Sequence, residues 1–339
     1  MANVYADTVL QDARAWIKEQ NNKRFELRPV ISNIMEAYMR DREYTIPNLA
    51  QIKAATTQTT TAMYFKSKDF TIGSSKSNTP SGEKSGTGKL DLSWATKTFV
   101  VDLPAKQYDG NEVNQAKGYA MSLYNAEKTF WSNFEAVLAA HLAANLSTVN
   151  DGTPGGTWST NKMIIANSDI DEFYNIVSAH MQQNDFAQNY LDIHDTFWLR
   201  YSRLYAAQGA GNSTNLSFQF GGFNTYASNK IVPTSAELST HYIVPDGGIA
   251  IIDWNEPANR RGDKGANGEL MTYQSLFYPD ITFDVFVKEA WTDTSGDGGS
   301  VQDLTLTFEF ALNYALCLQP FTESGRTAVY FFLVLYSRP

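Results

Sequence analysis

From Asp109 onward, apolar or small residues recur at Val113, Ala116, Ala120, Leu123, Tyr124, Phe130, Trp131, Phe134, Val137, Leu138, His141, Leu142 and Leu146. That is one stripe at helical period, and it predicts a single helix over residues 109–147. Asp109 and Glu112 stand in a capping-box arrangement, in which side-chain oxygens satisfy free backbone N–H groups. At 1.5 Å of rise per residue, the helix would span on the order of 55 Å, longer than a small domain is wide. The run Asn150–Gly156, with Pro154 and three glycines, ends it.

The stretch before this helix has a different period. Thr61–Gly73 and Lys89–Leu103 carry the β-branched and aromatic residues that favour strands, and Leu90, Leu92 and Trp94 alternate with polar neighbours. The two flanks predict a hairpin over residues 61–103. Ser74–Lys89 between them contains only Ser, Lys, Asn, Thr, Pro, Gly and Glu, so its tip has no apolar side chain with which to dock on its own domain. A two-stranded ribbon alone is marginal in water, so this projection is expected to dock on another molecule.

Elsewhere the chain alternates. Residues 4–20 show helical spacing through Val4, Leu10, Ala13 and Ile17, and a second apolar cluster covers Pro29–Tyr38. With the Pro47 turn and the Thr-rich link Thr56–Thr61, residues 1–60 predict an extended N-terminal region. An α/β region follows the long helix, with a strand at Met163–Ala166 and helices at Asp169–Gln182 and Thr196–Gln208. Short strands are expected at Ser217–Phe220, Lys230–Val232 and Gly248–Asp253. Residues 254–269 read as a surface loop. Two alternating strands come next, one with Ile281, Phe283, Val285 and Val287 on a face, the other with Leu304, Leu306, Phe308, Phe310 and Leu312. They are expected to pack on the long helix as a second layer.

Composition narrows the function. The 339 residues, 43% hydrophobic and 13% aromatic, can fill one large core or two modest ones. A net charge of -9 with scattered Lys and Arg disfavours tight nucleic-acid binding. The single cysteine, Cys317, lies in the apolar run Ala311–Leu318 and reads as a buried core thiol, which suits a reducing compartment. Met1–Leu10 lacks the basic start and apolar centre of a signal peptide. The most apolar run, Ala328–Tyr336, is about half a bilayer span in length and reads as a buried strand. No membrane association is expected.

Candidate chemistry is thin. Gly82–Leu90 resembles a phosphate-binding loop but has Glu83 where glycine belongs and Leu90 where a magnesium-binding hydroxyl belongs. His141, His180, His194 and His241 lack metal-ligand spacing. His141 reads as a core histidine, and His194-Asp195 as a helix start rather than a catalytic pair. No serine stands in a nucleophile elbow, and apolar surroundings would raise the Cys317 pKa. Asp293–Gly298 lacks the glutamate that closes a calcium loop, and Arg261-Gly262-Asp263 reads as surface loop. The sequence therefore assigns no catalytic, cofactor-binding or metal-binding residue, and no enzymatic activity.

The order of N-terminal arm, extended hairpin, long helix, α/β region and two long strands resembles the major capsid proteins of tailed bacteriophages, the HK97-like fold. The resemblance implies an α+β architecture. It divides the chain into an N-terminal arm (1–60), an E-loop (61–105), a spine helix with the start of the peripheral domain (106–162) and an axial domain (163–256). The loop and long strands of the peripheral domain (257–320) follow, with a C-terminal strand (321–339) returning to the axial domain. Phe220-Gly221-Gly222-Phe223 and Gly247–Asp253 fall in the implied axial domain.

By the same resemblance, hexamers and pentamers of the chain would close an icosahedral head around double-stranded DNA held without specific binding. A separate scaffolding protein, a portal and decoration proteins would be its partners. Assembly would take place in the host cytoplasm, and the product would be the virion. Some relatives crosslink an E-loop lysine to an asparagine of a neighbour. Lys76, Lys84 and Lys89 stand in the tip here, but no acceptor asparagine matches, so that reaction is not carried over. Two alternatives share parts of the pattern: an encapsulin-like compartment shell, and a receptor- or glycan-binding structural protein. The latter would favour a β-sandwich of many short strands, against which the long helix argues.

Overall fold

The computed structural model describes residues 11–12, 14–15, 19, 33–65, 72, 82, 84, 86–104, 112–146, 157–159, 162–183, 186, 189–201, 217–220, 222–233, 237–265, 268–293, 302–319 and 330–335. Three short helices come first, α1 (Ile34–Arg40), α2 (Arg42–Thr45) and α3 (Leu49–Ala54). Strands β1 (Thr61–Phe65), β2 (Thr87–Asp91) and β3 (Trp94–Pro104) lead to the long helix α4 (Glu112–Ala144). Next are β4 (Thr157–Ser159), β5 (Lys162–Ala166), α5 (Phe173–Gln183), β6 (Tyr190–Asp195), β7 (Ser217–Phe220), β8 (Phe223–Ser228), β9 (Glu237–Pro245) and β10 (Ile249–Trp254). Helix α6 (Pro257–Arg261) and strands β11 (Lys264–Gly265), β12 (Gly268–Gln274), β13 (Thr282–Asp293), β14 (Gln302–Leu318) and β15 (Tyr330–Leu335) complete the order.

Helix α4 is 33 residues long, and its apolar stripe continues along it from turn to turn with only two charged positions on the buried face. At 1.5 Å per residue that is about 50 Å. The stripe packs on a six-stranded sheet ordered β10-β14-β13-β12-β11, with β3 also paired to β14. Strand alternation does the rest: Ile281, Phe283, Val285 and Val287 of β13 and its lead-in, and Leu306, Phe308, Phe310 and Leu312 of β14, are all buried in the same core as Trp131, Phe134 and Leu138 of α4. Burial of each such side chain stabilises by about 1.5–3 kcal/mol.

The second sheet is seven-stranded, ordered β4-β5-β15-β9-β6-β8-β7. Strand β15 pairs parallel to β5 and antiparallel to β9, which returns the C-terminal region to the middle of this sheet. Period two gives the sheet two buried faces. Leu191, Ile193, Tyr242 and Val244 point into the α4 core. On the other face, Tyr190 and Ile243 pack with Phe173, Val177 and Met181 of α5 and with Trp198.

Several expectations are corrected. Among the described residues, Thr61–Phe65 and Thr87–Asp91 form the ribbon, in the register Thr61↔Asp91 to Phe65↔Thr87. Trp94–Pro104 instead pairs with Thr305–Ala315 of β14. Its buried Val101 and Leu103, and Phe99 stacked on Phe310 at 4.6 Å, gain a large core that a bare ribbon cannot offer. Residues 33–54, read within an extended arm, are helical and docked on the body. Ile34, Met35, Ala37 and Tyr38 enter the α4 core, and Ile46, Leu49 and Ile52 enter a smaller one.

Strand β10, grouped in sequence with the α/β region, belongs to the six-stranded sheet, where Ile249–Trp254 pairs with Asn313–Leu318. Lys230 and Ile231 lie in a turn rather than a strand. Thr196–Trp198 is a 3-10 turn that leads into a helical Leu199–Tyr201. Strands β6, β8 and β9 had no counterpart in the sequence reading. The capping residue Asp109, most of the Ser74–Lys89 tip and Thr294–Gly298 lie outside the described residues. Among the described residues, no helix is long and apolar enough to cross a membrane.

Candidate functional site: a projecting ribbon, an apolar groove and a buried polar circuit

The β1–β2 ribbon leaves the body with its two faces in different environments. Ala62 is fully buried and packs with Ile46, Leu49, Ile52 and Leu92, so the base of the ribbon is anchored on its own chain. Asn48 Oδ1 accepts the Met63 backbone N–H at 3.0 Å, and Trp94 Nε1 donates to the Thr59 carbonyl at 2.6 Å. The opposite face is open: Met63 is 49% and Phe65 65% exposed, and Ile72 beyond them is 94% exposed. Large apolar side chains left exposed on a two-stranded ribbon mark a contact surface.

A groove of about 810 Å³ lies between β3 and α4. Phe99 and Val100 form one wall, Ala126, Phe130, Ala136 and Val137 the other, and Lys97, Asn125, Thr129 and Asn133 supply its polar groups. Val100 is 56% exposed although it sits in the middle of an 11-residue strand. Among the described residues β3 pairs only with β14, so it forms a sheet edge at this groove.

Two carboxylates interrupt the apolar stripe of α4. Glu127 and Glu135 are both fully buried, at stripe spacing from Leu123 and Trp131. Glu127 Oε1 accepts from Ser275 Oγ at 2.5 Å, Leu276 N at 2.9 Å and Trp131 Nε1 at 3.1 Å, and Oε2 from Tyr273 OH at 3.3 Å. Burial nevertheless holds its pKa above the ordinary value. Glu135 accepts from the backbone of α1 and from Tyr278 OH. Each carboxylate joins α4 to a segment distant in sequence.

The four histidines are not brought together as a metal site, and no group of three or more metal-ligating side chains is present among the described residues. His141 Nδ1 lies 2.7 Å from Tyr38 OH, and burial lowers the ring's pKa to about 4. His180 is buried on α5. Asp195 Oδ1 accepts from Phe197 N at 2.7 Å and Trp198 N at 3.2 Å, which is the helix-start role read from the sequence. Cys317 is buried on β14, and desolvation pushes its thiol up to about 12. Gly262 caps α6 in the left-handed conformation, which accounts for the glycine in Arg261-Gly262-Asp263.

His241 was isolated in sequence, but the fold places it at the centre of a network. Its Nδ1 is 2.9 Å from Asp192 Oδ1, and its Nε2 is 2.9 Å from Ser239 Oγ. Carboxylate, imidazole and hydroxyl thus stand in the order that nucleophilic hydrolases use, a candidate the sequence reading lacked. Asp192, Ser239 and His241 are all fully buried, and Ser239 Oγ is 2.8 Å from a second carboxylate, Asp195 Oδ2. The hydroxyl faces that carboxylate instead of a cleft, so the group is built for holding rather than for attack. No local spacing links residues 192, 195, 239 and 241. The available signal was the three ionisable residues Asp192, His194 and Asp195 set among Tyr190, Leu191 and Ile193 of one strand.

No family model matches the sequence, and no curated protein matches it. Similar solved structures span most of the chain. A structure of Mycobacterium phage Bobi is 12% identical with a TM-score of 0.41, covering 91% of this chain and 91% of that one. The capsid structure of the cyanophage P-SCSP1u is 9% identical with a TM-score of 0.43, covering 83% of this chain and 84% of that one. The capsid of a native GTA particle is 10% identical with a TM-score of 0.42, covering 86% of this chain and 90% of that one.

Proposed function

We propose that this chain is the major capsid protein of a tailed bacteriophage, a shell subunit whose work is repeated self-association. The observation that carries the reading is an apolar mismatch within one chain. The ribbon presents Met63 and Phe65 to solvent, and the β3–α4 groove is lined by Phe99, Ala126 and Val137. The described residues of the subunit leave both surfaces open, and a second copy offers each the other's apolar face.

In this reading the β1–β2 ribbon is the working part of the E-loop, anchored through Ala62 and Leu92 and laid across the spine helix α4 of a neighbour. The six-stranded sheet with α4 serves as the peripheral domain and the seven-stranded sheet as the axial domain, through which hexamers and pentamers close. Such interfaces bury about 1,000 Å² or more each, and many of them together make a stable container without any one being strong. The net charge of -9 suits a wall that confines DNA without gripping it. The role is structural and non-enzymatic, the product is the virion head, and a scaffolding protein and portal complete the assembly.

The test is negative-stain microscopy of the purified chain and of a Met63→Asp/Phe65→Asp variant, each with and without a co-expressed scaffolding protein. The parent is expected to give rings of five and six and closed shells. The variant is expected to remain as subunits with an unchanged thermal midpoint. Normal shells from the variant would refute the role given to the ribbon, and a parent that stays monomeric with its scaffold would refute the capsid reading itself.

A further inference from the structure

The polar groups beneath α5 form a closed ring. Trp198 Nε1 donates to Tyr174 OH at 3.0 Å, and Tyr174 OH donates to Asp192 Oδ2 at 2.9 Å. Asp192 Oδ1 meets His241 Nδ1, His241 Nε2 meets Ser239 Oγ, and Ser239 Oγ meets Asp195 Oδ2, at 2.9, 2.9 and 2.8 Å. Asp195 Oδ1 then accepts the backbone N–H of Trp198, where the ring began. It ties together α5, β6, β9 and the Thr196–Trp198 turn.

Proton counting decides how this ring can exist. The last three side-chain contacts each need one proton between their heavy atoms. Ser239 supplies one, and a neutral imidazole supplies one more. With the ring protonated only at Nδ1, the serine proton must go to Nε2. The Ser239–Asp195 contact then sets lone pair against lone pair at 2.8 Å. Asp195 is already directed to accept: Phe197 N and Trp198 N point at Oδ1, and Thr240 N reaches Oδ2 at 2.6 Å. The missing proton belongs on the histidine. The aromatic surroundings agree with a positive ring, since the Phe173 and Trp198 centroids lie 4.3 and 4.6 Å from that of His241.

We propose that the folded chain carries a structural proton: His241 is held as a doubly protonated imidazolium between Asp192 and, through Ser239, Asp195, forming a proton-dependent latch that closes α5 and the Thr196–Trp198 turn over the seven-stranded sheet. The cation also answers how two fully buried carboxylates are tolerated there, because one positive charge lies between them. The other ionisable groups on the enclosing elements are Tyr190 and His194 on β6, Glu237 and Tyr242 on β9, and Tyr174 and His180 on α5. His194 lies on the neutral side: burial lowers its pKa, and its Nδ1 is engaged with the Asp195 carbonyl at 2.7 Å. Burial works against the charge of Asp192, but His241 and then His194 hold its carboxyl below the ordinary range.

The experiment is nitrogen NMR of the full-length chain labelled in its four histidines. His241 is assigned from a His241→Gln variant or, should that variant not fold, by elimination with His141→Gln, His180→Gln and His194→Gln. Both ring nitrogens of His241 are expected to carry protons in the folded chain at neutral pH. A single protonated nitrogen at neutral pH overturns the proposal, whether the remaining proton sits on Asp195 or is absent. Asp192→Asn keeps an acceptor for Nδ1 but removes the charge, so one ring nitrogen should lose its proton at neutral pH. A doubly protonated ring persisting unchanged in that variant also overturns it.

Discussion

The carboxylate of Glu135, in the middle of α4, accepts the backbone N–H of Ile34 at 3.1 Å, across 101 residues of chain. Its second oxygen accepts from Met35, also at 3.1 Å. These are donors of the first turn of α1, whose N-cap Asn33 makes no capping hydrogen bond through its side chain. A side chain of the long helix therefore caps a short one and places a negative charge at its positive end. Helix α1 is part of the body rather than an arm for this reason, together with the burial of Ile34 and Tyr38.

Removing this cap should loosen α1 selectively. Glu135→Ala leaves two buried N–H groups and Tyr278 OH without their acceptor and is expected to cost about 3 kcal/mol, whereas Glu135→Gln keeps one acceptor and should cost about 1–2 kcal/mol. Denaturant titration gives both values, and hydrogen exchange at residues 34–38 should rise first. Equal stability of the alanine variant and the parent would contradict this account.

Glu127 predicts a pH effect of the opposite kind from a paired surface carboxylate. Burial raises its folded-state pKa, and the hydrogen bonds from Ser275, Trp131, Leu276 and Tyr273 offset this only in part. Between its ordinary pKa and the raised folded value, the folded state binds more protons than the unfolded state. Its stabilising contribution is therefore full at low pH and falls as pH rises through that window. In Glu127→Gln this component of the pH dependence should vanish, which denaturation at a series of pH values from about 4 upward will read.

His141 acts in the other direction. Its pKa falls from 6.5 to about 4 because the ring is half-buried, so the unfolded chain binds the extra proton between those values. Stability should decline as pH drops from 6.5 toward 4 and level off below. The full shift corresponds to about 3 kcal/mol, reduced to about 2 kcal/mol for the ring's partial exposure. His141→Gln should flatten this limb of the profile; an unaltered slope would assign it to other groups.

Gly247, in the turn between β9 and β10, has φ of 73°, and a Cβ there would come within 2.9 Å of the Tyr44 ring. The turn also receives Thr45 Oγ1, which donates to the Gly247 carbonyl at 2.9 Å. Gly247→Ala is expected to lower stability by about 1–2 kcal/mol through left-handed strain. The double variant with Tyr44→Ala should recover only the steric part.

The elements with a strong local period were legible in the residues. The α4 stripe, the alternation Ile281–Val287 and the alternation Leu306–Leu312 each match a buried face. Strands β6 and β9 were missed because every residue of β6, and β9 from Ser239 onward, is buried, which erases the alternation that marks a half-exposed strand. Glu127 and Glu135 were visible as charges at apolar positions of the stripe, but their partners, Ser275 and Ile34, share no local spacing with them.

What the chain determined by itself was periodicity: where a helix must run, which strand faces are apolar, and that a ribbon with Met63 and Phe65 has too little of its own to pack against. Partnership was decided only in three dimensions. Trp94–Pro104 joined β14 instead of the ribbon, β10 joined β14 rather than the sheet of its sequence neighbours, and Asp192, Asp195, Ser239 and His241 met in one buried ring. The reason is physical. Periodicity is set by local backbone geometry, whereas the choice among several apolar edges, and the satisfaction of each buried charge, depends on contacts between residues tens to hundreds of positions apart.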